Sequence, residues 1–127
     1  MKKNVVDSSG WLEYFANAEN ASFFAPAIEN TAHLIVPTIS IFEVFKHVLR
    51  CRSEKEAFDS IECMLQATVI DLNLEISLNA AKLGVLHKIP LADSIILATG
   101  YLFQATIWSQ DEDFANLPQV KYIQKIK

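Results

Sequence analysis

Apolar positions along the chain fall into runs of two kinds that alternate from one end to the other. Short continuous apolar stretches bounded by polar or turn-forming residues read as buried strands. They are Asn4-Val5-Val6 ending at Asp7, His33-Leu34-Ile35-Val36 closed by Pro37, Thr68-Val69-Ile70-Asp71, Ala105-Thr106-Ile107-Trp108-Ser109 and Val120-Lys121-Tyr122-Ile123. Between them the spacing is helical. Trp11, Leu12, Tyr14 and Phe15 follow Ser8-Ser9-Gly10, and Ala21 to Ile28 forms a second helical stretch. Thr38 is placed to cap a third helix running to about Arg50, in which Ile41, Val44, Phe45, Val48 and Leu49 recur at the i, i+3, i+4, i+7 and i+8 positions of one face. Ser53 opens a helix to about Gln66, and two more span about Glu75 to Leu86 and Pro90 to Phe103, the last with proline in its favourable first turn. Short strands separated by helices predict an α/β fold in three layers, a central parallel sheet flanked by helices. No repeat, low-complexity tract or linker interrupts the pattern, so residues 1–127 read as a single domain.

Composition supports a packed core: 51% of the 127 residues are hydrophobic and 20% charged. A domain of this size removes about two-thirds of the extended chain's surface from water. The N-terminal apolar stretch stops after two valines, too short for a signal-peptide core. The longest apolar neighbourhood, Ile95 to Phe103, is too short to span a bilayer, so the expected setting is cytoplasmic, with no membrane partner. Cys51 and Cys63, with no CxxC spacing, read as reduced, buried thiols and imply no zinc site.

The net charge of −4 speaks against a simple basic nucleic-acid surface, but its distribution changes that picture. Acids stand nearly alone in apolar surroundings at Asp7, Glu43 and Asp93, while bases gather at Lys46 to Lys55 and Lys121 to Lys127. In an open parallel sheet, ligands bind beyond the carboxyl ends of the strands. Asp7 follows the first strand and Asp111 lies just past Trp108-Ser109, so both are expected at one edge. Taken singly, each has an ordinary role: Asp7 or Ser8 as a helix cap, Gln110 to Asp113 as a solvated loop, Glu43 in a surface ion-pair row with Lys46, His47 and Arg50. Asp93 is harder to explain that way, because its helix is apolar almost all round and a buried carboxylate is costly unless paired or metal-bound. Four carboxylates from four places in the chain point to one oxygen-rich site for a hard cation such as Mg2+ or Mn2+.

At these residues the chain resembles the VapC-type PIN domains. The likeness is carried by Val5 to Phe15, by Ile39-Ser40-Ile41-Phe42-Glu43-Val44, by Pro90 to Thr99 and by Trp108-Ser109-Gln110-Asp111-Glu112-Asp113-Phe114. It covers essentially the whole chain, four motifs in order, with Ser109 where the family more often has Thr. The resemblance implies a PIN-like fold, a four-acid Mg2+ or Mn2+ site, cleavage of RNA as the toxin of a toxin–antitoxin pair, and inhibition by a small antitoxin. Asp7, Glu43 and Asp93 take three of the acid positions; the fourth is assigned to Asp111, with Asp113 as the alternative and a further metal-ligand candidate.

The mechanism so implied is metal-assisted hydrolysis in which Asp7 and Glu43 hold the metal and Asp93 or Asp111 orients the attacking water. Lys46, Arg50 and Arg52 are expected to track the backbone of single-stranded or loop RNA, since paired A-form RNA is hard for side chains to read. Rival readings are an aspartyl-phosphate phosphohydrolase with Asp7 as nucleophile, and a PIN-like module that binds RNA or protein without cleaving. The first lacks the second acid that haloacid-dehalogenase-like phosphatases carry where Ser9 stands. An EF-hand is weaker, because Asn116 occupies the position that needs glycine. Trp11, Phe15, Phe23 and Phe24 carry enough apolar area to predict a homodimer, or else a core role in the monomer.

Overall fold

The computed structural model describes residues 2–126, leaving Met1 and Lys127 outside it, and turns the two kinds of run into five strands and six helices. The strands are β1 (Asn4–Val6), β2 (Ile35–Pro37), β3 (Thr68–Ile70), β4 (Thr106–Ser109) and β5 (Val120–Tyr122). The helices are α1 (Ser8–Phe15), α2 (Ala21–Ile28), α3 (Thr38–Cys51), α4 (Glu54–Met64), α5 (Leu74–His87) and α6 (Leu91–Leu102). All pairing is parallel. β4 lies between β1 and β5, with Val5 opposite Ile107 and Trp108 opposite Lys121, while β2 pairs with β3, Val36 opposite Val69. The two groups meet at a single bridge between Asn4 and Leu34. The spatial order is therefore β3-β2-β1-β4-β5, a sheet in two hydrogen-bonded parts rather than one unbroken ladder.

Because side chains alternate across a strand, adjacent residues serve opposite cores. Val6 and Val36 pack with Trp11, Phe24, Val44, Val48, Ala57 and Met64 under α1 to α4. Val5, Ile35 and Ile107 pack with Ile96 and Leu97 of α6, and α5 closes over the far side of α6 through Ile76 and Ala80. This is the expected three-layer arrangement. Residues 94–100 of α6 are all buried, as an almost wholly apolar helix requires.

Helix starts follow local chemistry. Asp7 caps α1, Ser53 caps α4 through the Glu56 amide, and Asn73 caps α5 through the Ile76 amide. Thr38 makes no cap: it is the first helical residue of α3, entered directly from Pro37 at the end of β2. Pro90 likewise sits at the N-cap of α6, one residue before the first turn. Gly10 has no room for a side chain, since a Cβ there would lie 2.6 Å from Val6 Cγ1 and 2.7 Å from Phe24 Cε1.

The aromatic residues of the first two helices are core. Trp11 and Phe24 are fully buried, Phe15 and Phe23 half-buried, and Trp11 stacks on Phe15 at 5.6 Å between ring centroids. Trp11 and Phe24 therefore serve the monomer core, while Phe15 and Phe23 keep part of their surface open. The most exposed apolar side chains, Leu74, Val85 (81% exposed), Leu86 and Leu91, lie instead on and beside α5, while Phe42 and Phe58 project from α3 and α4. Cys51 and Cys63 are unpaired, as expected, but neither is buried: Cys51 is exposed and Cys63 half-buried. Among the described residues no single helix is long and apolar enough to cross a membrane.

Candidate functional site

Strand order reverses between β1 and β4, and in open α/β sheets the crevice beyond the carboxyl ends of such strands receives the ligand. Asp7 follows β1 directly, and Ser109 ends β4 with Asp111 just beyond it. α3 leaves the end of β2 carrying Glu43, and α6 begins beside them with Asp93 in its first turn. All four carboxylates line one open cleft of about 350 Å³, with Ser8, Ser9, Leu12, Phe42, Lys46, His47 and Arg50.

Asp7 is buried and held at both oxygens. Oδ1 accepts from the Gly10 amide and the Ser9 hydroxyl, each at 2.9 Å, and Oδ2 accepts from the Ser109 hydroxyl at 2.6 Å. Helix cap and cleft wall are thus one carboxylate. Burial pushes its pKa up to about 6, opposed by the hydrogen bonds from Ser109, Gly10 and Ser9 and reinforced by the nearby charge of Asp111. The Ser109 hydroxyl also accepts from the Asp111 amide at 2.9 Å, so one hydroxyl joins the first acid to the fourth.

Glu43 takes no part in a surface ion-pair row. Among the described residues the salt bridges are Arg52–Glu56 and Lys55–Asp59, both on α4's side and exposed. Glu43 Oε1 instead accepts from the Ser8 hydroxyl at 2.6 Å, across 35 positions of sequence. Lys46 and Arg50 line the cleft, whereas Arg52 faces a separate groove between α1, α3 and α4. Of the three bases expected to track RNA, two line the cleft with the acids.

Asp93 is half-buried, and its carboxyl is pushed well above the ordinary carboxylate range. Burial is the main cause, followed by the charges of Asp111 and Asp7 and a hydrogen bond with Asp113. Carboxylate oxygens of Asp93, Asp111 and Asp113 lie within 4.8 Å of one another. Asp111 accepts from the Asp113 amide at 2.9 Å, capping a 3-10 turn at Glu112–Phe114, and the buried Phe114 ring anchors that turn. This short turn leads to β5 and leaves no twelve-residue calcium loop. Asp113, an alternative to Asp111 in the sequence, stands beside it on the exposed side of the group.

The donor set fits a hard divalent cation. Carboxylate oxygens crowd at the cleft, two carboxyls hold raised pKa values, and neither cysteine lines it. Negative charge gathered with no basic partner within salt-bridge distance among the described residues is what a bound cation would relieve. Ser8, which the sequence offered only as a helix cap, and Ser109 are the contributors whose part in the site pattern reading did not give. Their signal was a hydroxyl beside an acid in each motif, but hydrogen bonds across 35 and 102 positions are set by the fold.

Fold and site together define an α/β protein with an acidic cleft at the switch point of a parallel sheet. The chain belongs to the PIN-domain family, whose model matches residues 5–120. A sequence search of curated proteins found no match. Solved structures of similar fold include a toxin–antitoxin complex from Klebsiella pneumoniae, with TM-score 0.78 and 21% identity over 94% of this chain and 96% of that one. VapC20 of Mycobacterium tuberculosis, described as a sarcin-ricin loop cleaving toxin, superposes with TM-score 0.75 and 15% identity over 89% of this chain and 93% of its own. VapBC2 of Rickettsia felis, bound to a DNA fragment from its promoter, gives TM-score 0.73 and 12% identity over 95% and 97%.

Proposed function

We propose that this protein is a Mg2+- or Mn2+-dependent endoribonuclease acting in the cytoplasm as the toxin of a toxin–antitoxin pair. The observation that carries the reading is the convergence of Asp7, Glu43, Asp93 and Asp111 from four separate elements on one cleft. Membership of the PIN family and fold likeness to VapC and VapBC proteins support it.

Asp7, Glu43, Asp93 and Asp111 would hold the metal, with Asp113 at its exposed side. Bound there, a divalent cation would offset the charge of a phosphodiester and make a water more acidic. The chain's own groups do the rest. Ser9 and Ser109 fix both oxygens of Asp7, and Ser8 fixes Glu43, so the acids are aimed before substrate arrives. Asp93 or Asp111 would orient the attacking water and take up one of its protons as its oxygen bonds to phosphorus, while the bond to the leaving oxygen breaks and that oxygen takes a proton from solvent. Lys46 and Arg50 offer positive charge to the flanking phosphates, and an open cleft suits single-stranded or loop RNA.

The aspartyl-phosphate alternative is disfavoured by Asp7 itself, which is 2% exposed with both oxygens already accepting hydrogen bonds. A small antitoxin as the partner rests on the family and the fold neighbours. A homodimer remains the proposed assembly, with α5 rather than the first helices offering the apolar face. Purified protein should cut RNA with Mn2+ and lose that activity in EDTA. Undiminished cleavage in chelator overturns the metal mechanism, and no cleavage with any divalent ion favours a non-cleaving binding module.

A further inference from the structure

Gln110 sits between Ser109, which holds Asp7, and Asp111, yet its side chain does not line the cleft. It is 3% exposed and belongs to a closed ring of hydrogen bonds. Gln110 Oε1 accepts from Asn20 Nδ2 at 2.9 Å, Gln110 Nε2 donates to Glu13 Oε1 at 3.1 Å, and Glu13 Oε2 accepts from the Asn20 amide at 2.8 Å. Two carbonyls complete it: Ser9, 3.4 Å from Gln110 Nε2, and Gln124, 3.2 Å from Asn20 Nδ2.

Asn20 makes the ring more telling. It occupies the N-cap of α2, a position asparagine favours because its side chain can bond the helix's free amides, but it makes no such bond. Its side chain, also 3% exposed, is committed to Gln110 and the Gln124 carbonyl instead. Buried polar groups are costly unless every member is satisfied, and a satisfied network fixes one arrangement where apolar packing tolerates several. Here the arrangement joins α1, which Asp7 caps, to the segment carrying Asp111 and Asp113.

We propose that Glu13, Asn20 and Gln110 are positioning residues that hold the Asp111–Asp113 turn at a fixed distance from Asp7, and so set the geometry of the metal site. The inference rests on the metal-site reading above. The ring is invertible, which supplies its test. Gln110→Glu places two carboxylates face to face and breaks the ring, whereas Glu13→Gln/Gln110→Glu restores the three bonds among positions 13, 20 and 110, with donor and acceptor exchanged between 13 and 110, and gives up only the long 3.4 Å bond to the Ser9 carbonyl. In the double variant Gln at position 13 donates to Glu at position 110, and both still accept from Asn20.

Mn2+ affinity would be measured by calorimetry well below the melting temperature, alongside amide hydrogen exchange over residues 111–114. Added negative charge near the acids would by itself tighten cation binding. Misplacement predicts the opposite: Gln110→Glu should bind Mn2+ roughly 10- to 100-fold more weakly, the loss usual for groups that orient metal ligands. Its Asp111 to Phe114 amides should exchange faster, and the double variant should recover both properties. Glu13→Gln, a milder break, should fall between. Equal or tighter Mn2+ binding by Gln110→Glu overturns the proposal, even if that variant melts at a lower temperature. Wild-type protein that binds no Mn2+ overturns the metal reading, and unchanged amide exchange in Gln110→Glu then overturns the positioning role separately.

Discussion

At Asp7 one carboxylate caps α1 and faces an acidic cleft, and the two roles make different demands on its charge. An asparagine caps about as well as an aspartate, so Asp7→Asn should keep the helix start while removing a buried negative charge. The pKa of Asp7 rises from 3.8 to about 6 on folding, so between these values the folded protein binds more protons than the unfolded chain. Metal-free stability therefore falls as pH rises through that window, and the full penalty stands above it. The raised Asp93 carboxyl adds to the fall in the same direction. Relieving the penalty at Asp7 should raise metal-free stability at neutral pH by about 1 to 3 kcal/mol. The rise in melting temperature on adding Mn2+ should shrink sharply in the variant, together with RNA cleavage. Thermal melts across pH, with and without Mn2+, measure both, and an unchanged Mn2+ shift in Asp7→Asn removes Asp7 from the metal site. At Glu43 the Ser8 hydroxyl is the sole side-chain hydrogen-bond partner among the described residues. Ser8→Ala should thus reduce cleavage several-fold while costing about 1 kcal/mol of stability, as loss of one hydrogen bond does.

Elements were legible wherever local chemistry decides them. The strands at Asn4–Val6 and Thr68–Ile70 and the caps at Asp7 and Ser53 all follow from short-range pattern. Thr38 fails as a cap because α3 starts without a turn at the end of β2, which no local propensity reveals. The acids were legible because an ionisable residue in an apolar run is conspicuous. Their supports, Ser8, Glu13, Asn20 and Gln110, were not, because polar residues near helix ends have ordinary local uses and their real partners are distant in sequence. Close approach of elements is equally hidden. Gly10 stands in sequence only as the residue before the apolar helical spacing, yet it lets α1 settle on Val6 and Phe24. Gly10→Ala should destabilise the protein by about 1 to 3 kcal/mol, the usual range for overpacking a core, as denaturant unfolding would report. It should do so with and without metal, unlike Asp7→Asn.

For the whole molecule, the proposed assembly changes most between sequence and structure. Aromatic content in the first helices suggested an interface, but Trp11 and Phe24 complete the monomer core while Leu74, Val85 and Leu91 stand in solvent. Light scattering should give twice the 14.3 kDa chain mass at micromolar concentration. Val85→Glu combined with Leu91→Glu should return it to the monomer without loss of fold, and a wild-type monomer contradicts the assembly. The sheet carries a different consequence. Between its β3-β2 and β1-β4-β5 parts the backbone contributes one bridge, Asn4 to Leu34, and cohesion passes instead through Val6, Leu34 and Val36 in a shared apolar core. Glu43 rides on the β2 side of that seam, while Asp7 and Asp111 lie on the other. Apolar cohesion weakens on cooling, whereas ladders of backbone hydrogen bonds are less affected. The seam is consequently where cold should loosen the protein first, parting Glu43 from its fellow acids before either half of the sheet comes undone.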